Sequence, residues 1–439
     1  MTKIRTHRWS HESVTPPQHR LRVLHLGYED HLRPGAGGGS RRTREINERL
    51  SKHFDVTVVT AGFPGCTSRI ENGIRYEHIG SSVGGFVSLL SYFAAIPLAL
   101  IRFDSDIVIE DFGAPFSSVG VPWMTRRPTI GIVQWLFARE KSKQYKLPFF
   151  AIETLGVASH RSLIAVSSGI GQELRLRNGD AKVYVVSNGL DQEAFSSHEC
   201  ERNDILYLGR LEIAQKGLDL LLESFRNVVS EIKQNLLIAG DGPDRKRLED
   251  LVALHKLQNR VRFIGRVDSQ ERFNLLASVD FVVMPSRYES FGMVAAEALA
   301  VSTPVLAFDI PCLGDLINVN NGALVAPFDI DKFASEIIRL SQNSSLRRKL
   351  GQAGPDSVKD LTWERLAELQ AEIYLSVSSS YPITNRRSPK TLIHQGFARK
   401  AATASHRLWG DSPLQKICKR TEQGWRKIQI AFTQPSRKS

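Results

Sequence analysis

An α/β fold of two Rossmann-like domains, each a doubly wound parallel sheet and both facing a common cleft, is predicted by three observations. Apolar runs of strand length alternate with helical segments along most of the chain. The alternation occurs twice, on either side of a polar stretch at residues 192–203. A length of 439 residues with 42% hydrophobic content is too much for one ordinary core and ample for two.

Residues 1–20 are polar, contain Pro16 and Pro17, and read as a flexible extension. The run LRVLHLGY from Leu21 reads as a buried strand. A glycine-rich loop follows it, then a helix over 41–53 with Ile46 and Leu50 turned inward, then a strand over 55–60. Further apolar runs at 106–109, 129–133, 163–166 and 183–186 complete a first domain over 21–195. The polar stretch is the expected hinge. Runs at 205–208, 235–239, 261–264, 281–284 and 304–307, each followed by a plausible helix, make a second domain over 200–355. In such sheets ligands bind outside the carboxyl ends of the strands, so facing halves create a cleft.

Charge is distributed unevenly. The chain carries a formal +12, but residues 376–439 hold 13 Lys and Arg against Asp411 and Glu422, which leaves residues 1–375 one charge from neutral. The basic character belongs to a tail, which argues against a nucleic-acid binder. Cys66, Cys200, Cys312 and Cys418 are too far apart for a zinc or redox motif and read as reduced thiols. Lys3, Arg5 and Arg8 precede no apolar segment, so a cytoplasmic location is expected.

The stretch PSRYESFGMVAAEALA, residues 285–300, concentrates the chemistry. Glu289 lies in a loop, and Glu297 stands alone on an otherwise apolar helix, where a buried carboxylate needs a partner or a ligand. The helix start at Ser290, Phe291 and Gly292 offers free amides and the positive end of the helix dipole, suited to phosphate. A carboxylate accepts hydrogen bonds only, so Glu297 could hold paired ribose hydroxyls and Glu289 sugar hydroxyls. On the glutamates alone, the alternative of a dipole-complementing Glu297 and a solvated Glu289 stands equally.

Glu289, seven residues and Glu297 in that setting resemble the donor-site signature of retaining glycosyltransferases of family 4, which have the GT-B fold. The resemblance covers about residues 21–375. It implies a nucleotide-sugar co-substrate with no other cofactor, donor binding by the second domain and acceptor binding by the first. LYLGRLEIAQKG is similar to the family's diphosphate motif, with Arg210 and Lys216 at the binding positions. Two cations there would stabilise a departing diphosphate, and a helix start would disfavour them unless something anionic offset them. Gly265 and Val267 correspond to backbone contacts with the base. The segment 361–374 is similar to a closing helix, placed over 356–375, that crosses back to the first domain.

The loop PGAGGGS, residues 34–40, nearly follows a dinucleotide fingerprint, but an NAD enzyme needs an acidic residue at the end of the second strand, and Asp55 sits at its start. The loop instead resembles the family's glycine loop, in which Gly37, Gly38 and Gly39 approach the donor phosphates. Three glycines in a row exceed what one tight turn needs. Where many family members have a histidine after the strand at 129–133, this chain has Gln134, which hydrogen bonds but does not titrate. Retaining transfer in the family is explained by same-face attack, with the leaving diphosphate taking the acceptor proton. Asp111 and Glu140 are further acceptor-side candidates, each equally readable as a cap or a surface charge.

Two Asp-x-Asp pairs, Asp104/Asp106 and Asp329/Asp331, lie outside the nucleotide side, which favours metal-independent transfer. The apolar segment 86–101 is short for a span and reads as a buried or partly membrane-facing helix. In the tail, Leu414, Ile417, Trp425, Ile428 and Phe432 share one helical face with lysines and arginines elsewhere, a basic amphipathic pattern suited to an anionic membrane surface. The reading is a retaining sugar transferase acting on a saccharide or lipid-linked acceptor. Its rivals are a sugar-nucleotide epimerase of the same shape and a non-catalytic sensor.

Overall fold

The computed structural model describes residues 20–381, apart from 114–117, 119, 137, 140–141, 143–145, 147, 197–201 and 268. Glu140 and most of the basic tail therefore lie outside the described residues.

The first lobe is a sheet of β1 (Arg22–Leu26), β2 (Asp55–Ala61), β3 (Arg69–Glu71), β4 (Ile74–Ile79), β5 (Ile107–Asp111), β6 (Thr129–Val133), β7 (Ser162–Ala165) and β8 (Lys182–Val185). Its order is β3-β4-β2-β1-β5-β6-β7-β8, parallel throughout except for the β3–β4 hairpin. The second lobe holds β9 (Ile205–Leu208), β10 (Leu236–Ala239), β11 (Val261–Gly265), β12 (Phe281–Met284), β13 (Val305–Phe308) and β14 (Gly322–Val325). They are ordered β11-β10-β9-β12-β13-β14 and all parallel. The order reverses beside β9, the switch point at which such sheets open a crevice.

Helices cover both faces of each sheet. In the first lobe they are α1 (Gly38–Leu50), α2 (Gly85–Arg102), α3 (Phe149–Ser159) and α4 (Ser168–Arg177). The period-2 alternation of β1 divides the work: Val23 packs with Ile46 and Leu50 of α1, while Leu24 and Leu26 pack with Tyr92 and Ile96 of α2. The outward side of α2 exposes Val87, Leu90, Leu98 and Ile101, so the helix is half core and half apolar surface. Among the described residues no helix is long and apolar enough to cross a membrane.

The second lobe carries α5 (Ile213–Lys216), α6 (Leu218–Val228), α7 (Arg245–Leu254), α8 (Ser269–Ala277), α9 (Met293–Ala300), α10 (Pro311–Gly314), α11 (Ile330–Gln342) and α12 (Ser344–Val358). The last helix, α13 (Trp363–Ser379), returns to the first lobe. It lies against α1, with Trp363, Leu366 and Tyr374 buried in the same cluster as Ile46 and Leu50. The fully buried Arg42 of α1 donates to Val186 O at 3.1 Å and to Gln370 Oε1 of α13 at 3.0 Å. The outgoing and returning segments touch where they cross, Leu190 N donating to Leu361 O at 2.7 Å. The closing helix, read over 356–375, begins at Trp363 and reaches Ser379, and residues 344–358 form a separate helix on the second lobe.

The structure adds two elements to the expected ones. The β3–β4 hairpin turns on Asn72 and Gly73, both at positive φ (50° and 79°), as a tight two-residue hairpin requires. The short edge strand β14 follows Asn321. The aspartate pairs have structural partners: Arg22 forms ion pairs with both Asp104 and Asp106, and Asp329 accepts from Lys332 N at 2.9 Å at the start of α11.

Candidate functional site

The carboxyl ends of the two sheets face a cavity of about 400 Å³ between the lobes. The first lobe contributes Gly38 and Arg41, the second contributes Gly209, Gly240, Val267 and Glu297, and Trp363 closes one side where the chain crosses back.

The glycine loop leads directly into α1. Gly37 is its N-cap and donates its N–H to Glu29 Oε2 at 3.1 Å. None of Gly37, Gly38 and Gly39 has a positive φ, so a tight turn does not account for them. A Cβ built on Gly38 meets nothing within 4 Å, and one on Gly39 would lie 3.6 Å from the Gln134 amide. The missing side chains leave the start of α1 open to a ligand. Gln134 Nε2 lies 3.5 Å from Gly39 O, at the limit of a hydrogen bond, which puts this side chain behind the loop.

Glu297 is 3% exposed on α9, whose remaining residues are all apolar. It has a partner: Arg272 of α8 places Nη2 at 3.1 Å from Glu297 Oε1. Burial pushes the Glu297 carboxyl up to about 7, against the opposing pull of Arg272 and Arg41. The helix start before it comprises Ser290, the buried Phe291 and Gly292 at φ 93°. The Phe291 ring belongs to the second-lobe core, so this segment offers a ligand backbone amides and not that side chain. Across the site, Gly265 (φ 78°) has no atom near its Cβ position, and Val267 lines the cavity.

Glu289 is not a solvated loop residue. Its carboxylate is 11% exposed, pairs with Lys216 Nζ and accepts from Ser286 Oγ at 3.0 Å. Lys216 stands between two helices. It closes the single turn of α5 and directly precedes Gly217, the N-cap of α6, and the anion beside it is Glu289. The left-handed Gly217 ends α5 (φ 66°), and its Cβ position lies 2.0 Å from Pro285 O, so only glycine lets the α5–α6 junction press Lys216 against the Glu289 loop. Arg210 is mostly exposed and pairs with Glu212 at 3.1 Å. Neither Arg210 nor Lys216 lines the cavity that Glu297 lines.

Asp111 also departs from its expected place. His25 Nε2 lies 3.1 Å from one carboxylate oxygen and Thr43 Oγ1 donates to the other at 2.7 Å, which ties Asp111 into the β1–α1–β5 interior. Burial alone would raise this carboxyl, but His25 and Thr43 outweigh it and hold it below the usual range. It is neither a helix cap nor an open surface charge.

Three cations line the cavity that the motifs did not single out: Arg41, Arg266 and Arg272. Arg41 pairs with Asp191, which also accepts from Trp363 Nε1 at 3.3 Å, so the glycine loop, the hinge and the closing helix meet at one carboxylate. Arg41 was within reach of sequence reasoning, one residue beyond Ser40. Arg272 carried no local signal, because only the packing of α8 on α9 sets it beside Glu297. The lobes also touch away from the cavity, where Ser168 N at the start of α4 donates to Asp315 Oδ2 at 2.8 Å.

Comparison with known proteins places this geometry. Residues 191–357 match the family described as Glycosyl transferases group 1. The chain is 30% identical over 318 residues to alpha-D-kanosaminyltransferase of Streptomyces kanamyceticus, covering 71% of this chain and 72% of that protein. It is 31% identical over 219 residues to an uncharacterized glycosyltransferase of Methanocaldococcus jannaschii, covering 49% of this chain but only 60% of that relative. Among solved structures, sucrose-phosphate synthase from Thermosynechococcus elongatus superposes with a TM-score of 0.68 at 20% identity, over 82% of this chain and all of that one. Anabaena HepE, solved with UDP and glucose, gives 0.64 at 16% identity over 81% of this chain and all of that one. The two facing parallel-sheet lobes are the GT-B fold, and the chain belongs to the glycosyl transferases group 1 family.

Proposed function

We propose that the protein transfers a sugar from a nucleotide-sugar donor to a saccharide or lipid-linked acceptor, with retention at the anomeric carbon and without a metal ion. The observation that carries the reading is the interlobe cavity, in which the side-chain-free start of α1 faces the buried Glu297. The resemblance to family 4 donor sites supports retention. The UDP and glucose held by the Anabaena neighbour, and the transferase activity named for the Streptomyces relative, support the donor class and the reaction.

In this reading Glu297 accepts hydrogen bonds from the ribose hydroxyls, and Gly265 and Val267 present backbone to the base. The Ser290–Gly292 amides and Gly37–Gly39 surround the diphosphate. Lys216 and Arg210 neutralise it as the bond between the anomeric carbon and the phosphate oxygen breaks. The acceptor oxygen bonds to that carbon on the same face, and its proton passes to the departing diphosphate. Glu289, held by Lys216 and Ser286, orients the donor sugar. Gln134, against Gly39, borders the acceptor side, whereas Asp111 acts through the interior rather than on a substrate. The protein works on the cytoplasmic side, held at an anionic membrane surface by its basic tail, a role that the bare apolar side of α2 supports.

The test is a thermal-shift panel of UDP-, GDP- and ADP-sugars on the full chain, because a ligand that binds only the folded state raises its stability. A shift with one class and slow donor hydrolysis without acceptor support the transferase. Release of an epimerised sugar nucleotide, or binding without turnover, would replace it with an epimerase or a sensor.

A further inference from the structure

The donor reading assigns Glu297 to the ribose but leaves open how a carboxylate keeps its charge at that depth. Every other residue of α9 from Met293 to Ala300 is apolar. The strands beneath bring Val282, Val283, Leu306 and Ala307, all buried. On its far side α12 presents Gly351 and Gly354 to the backbone of Ser302 and Leu299, and the cation there, Arg202, donates to Ser302 O at 2.8 Å and Val301 O at 3.3 Å, so it caps the end of α9. Glu193 stands exposed on the short turn that also packs against α9. Arg41 reaches toward Glu297 from α1 but is engaged by Asp191, whose own charge opposes that of Glu297. Arg266 on the rim is mostly exposed and turns to Asp241 at 3.6 Å. What remains is Arg272, at 3.1 Å and 19% exposed, sharing the cavity wall with Glu297. Its Nε and Nη2 make no aligned hydrogen bond among the described residues, so the guanidinium serves Glu297 as a counter-ion beside an open space.

We propose that Arg272 is the positioning residue that holds Glu297 as an ionised, oriented acceptor for the ribose of the donor nucleotide. The proposal rests on the donor reading and deepens it. A carboxylate can accept from both hydroxyls of a ribose at once, whereas a protonated carboxyl spends one oxygen as a donor and loses that match. Burial already pushes Glu297 up to about 7 with Arg272 in place. Removing the nearest positive charge moves its titration further up, and at neutral pH the group becomes a neutral acid. Arg272 acts on the donor only through Glu297.

The experiment is isothermal titration of UDP, GDP and ADP into the full chain from pH 5.5 to 9, for wild type, Arg272→Met, Arg272→Gln and Arg272→Lys. Wild-type affinity for the preferred nucleotide should rise with pH and level off above the Glu297 titration. Arg272→Met, of similar bulk, should move that midpoint up by about one unit, with about fivefold weaker binding at pH 7 that recovers at pH 9. Arg272→Gln keeps hydrogen-bonding capacity without charge and should behave alike, so the question survives if the methionine variant fails to fold. Arg272→Lys should return the midpoint most of the way to the wild-type value. An unmoved midpoint in the folded neutral variants, or weakening equal at all pH values, overturns the role of Arg272 and leaves the donor reading intact. If wild type binds none of the three nucleotides at any pH, the donor reading falls and this inference with it.

Discussion

Gly189 offers a sharp test of how the lobes are joined, because its Cβ position lies 2.5 Å from Trp363 Cδ2 and 2.7 Å from Cε3. The ring has little freedom to yield: Trp363 is 3% exposed and its Nε1 donates to Asp191. Gly189 is not at positive φ, so alanine there meets no backbone penalty. On conformational grounds alone, Gly189→Ala would stabilise by about 0.4–1 kcal/mol through a less flexible unfolded chain. The clash should cost about 1–3 kcal/mol, as overpacking of a tight site does, leaving a net loss on the order of 1–2 kcal/mol. Trp363→Leu alone should cost about 2–4 kcal/mol for the lost ring. In that background Gly189→Ala has no ring to meet and should be neutral or mildly stabilising, a coupling of about 1–3 kcal/mol. Urea unfolding followed by far-UV circular dichroism measures all four corners of the cycle. A Gly189→Ala protein as stable as wild type, or costs that add within about 0.5 kcal/mol, would refute the argument.

Gly217→Ala should be more damaging, since a left-handed alanine costs about 1–2 kcal/mol and its Cβ would sit 2.0 Å from Pro285 O; thermal unfolding should show a clearly lowered midpoint. Two buried carboxyls should give opposite pH signatures in that assay. Burial would raise Asp30, but His78 and Arg69 hold it well below the usual range, so its stabilisation is present above about pH 4 and fades on acidification; Asp30→Asn should flatten that acid loss. Glu297 is raised to about 7, so the ligand-free protein should lose stability as pH climbs from about 4.3 toward 7, and Glu297→Gln should remove that slope. Ending the chain near Ser376 should abolish flotation with anionic liposomes, and retained lipid binding would count against the tail as the anchor.

The double Rossmann pattern was legible because parallel strands buried on both faces read as unbroken apolar runs, as Ile205–Leu208 and Phe281–Met284 do. The β3–β4 hairpin was just as legible in principle: Asn72-Gly73 is a strong two-residue turn signal, but its flanks carry Arg69, Glu71, Arg75 and Glu77 and show no apolar run. Candidate site residues divided along another line. Those belonging to a local pattern, such as Glu289, Glu297 and the glycine loop, could be singled out from spacing. Lys216 was read at a helix start, and it does precede α6, but the single turn α5 that it also closes is too short to show a period. Arg272 and Asp111 take their meaning from side chains far away in sequence, which no window of residues contains.

Because α13 supplies Trp363, Leu366 and Tyr374 to the core of the first lobe, the order of synthesis and the order of completion are reversed. The ribosome delivers β1 to β8 first, and domains generally fold as they emerge. This one must wait, its α1 face uncovered and Arg42 without Gln370, while the whole second lobe is made. A nascent chain stalled anywhere before Trp363 exposes an apolar stripe that the finished protein never shows. The halves of this protein are therefore not separable modules: cutting at the hinge yields a second lobe holding a helix that belongs elsewhere and a first lobe that cannot be finished.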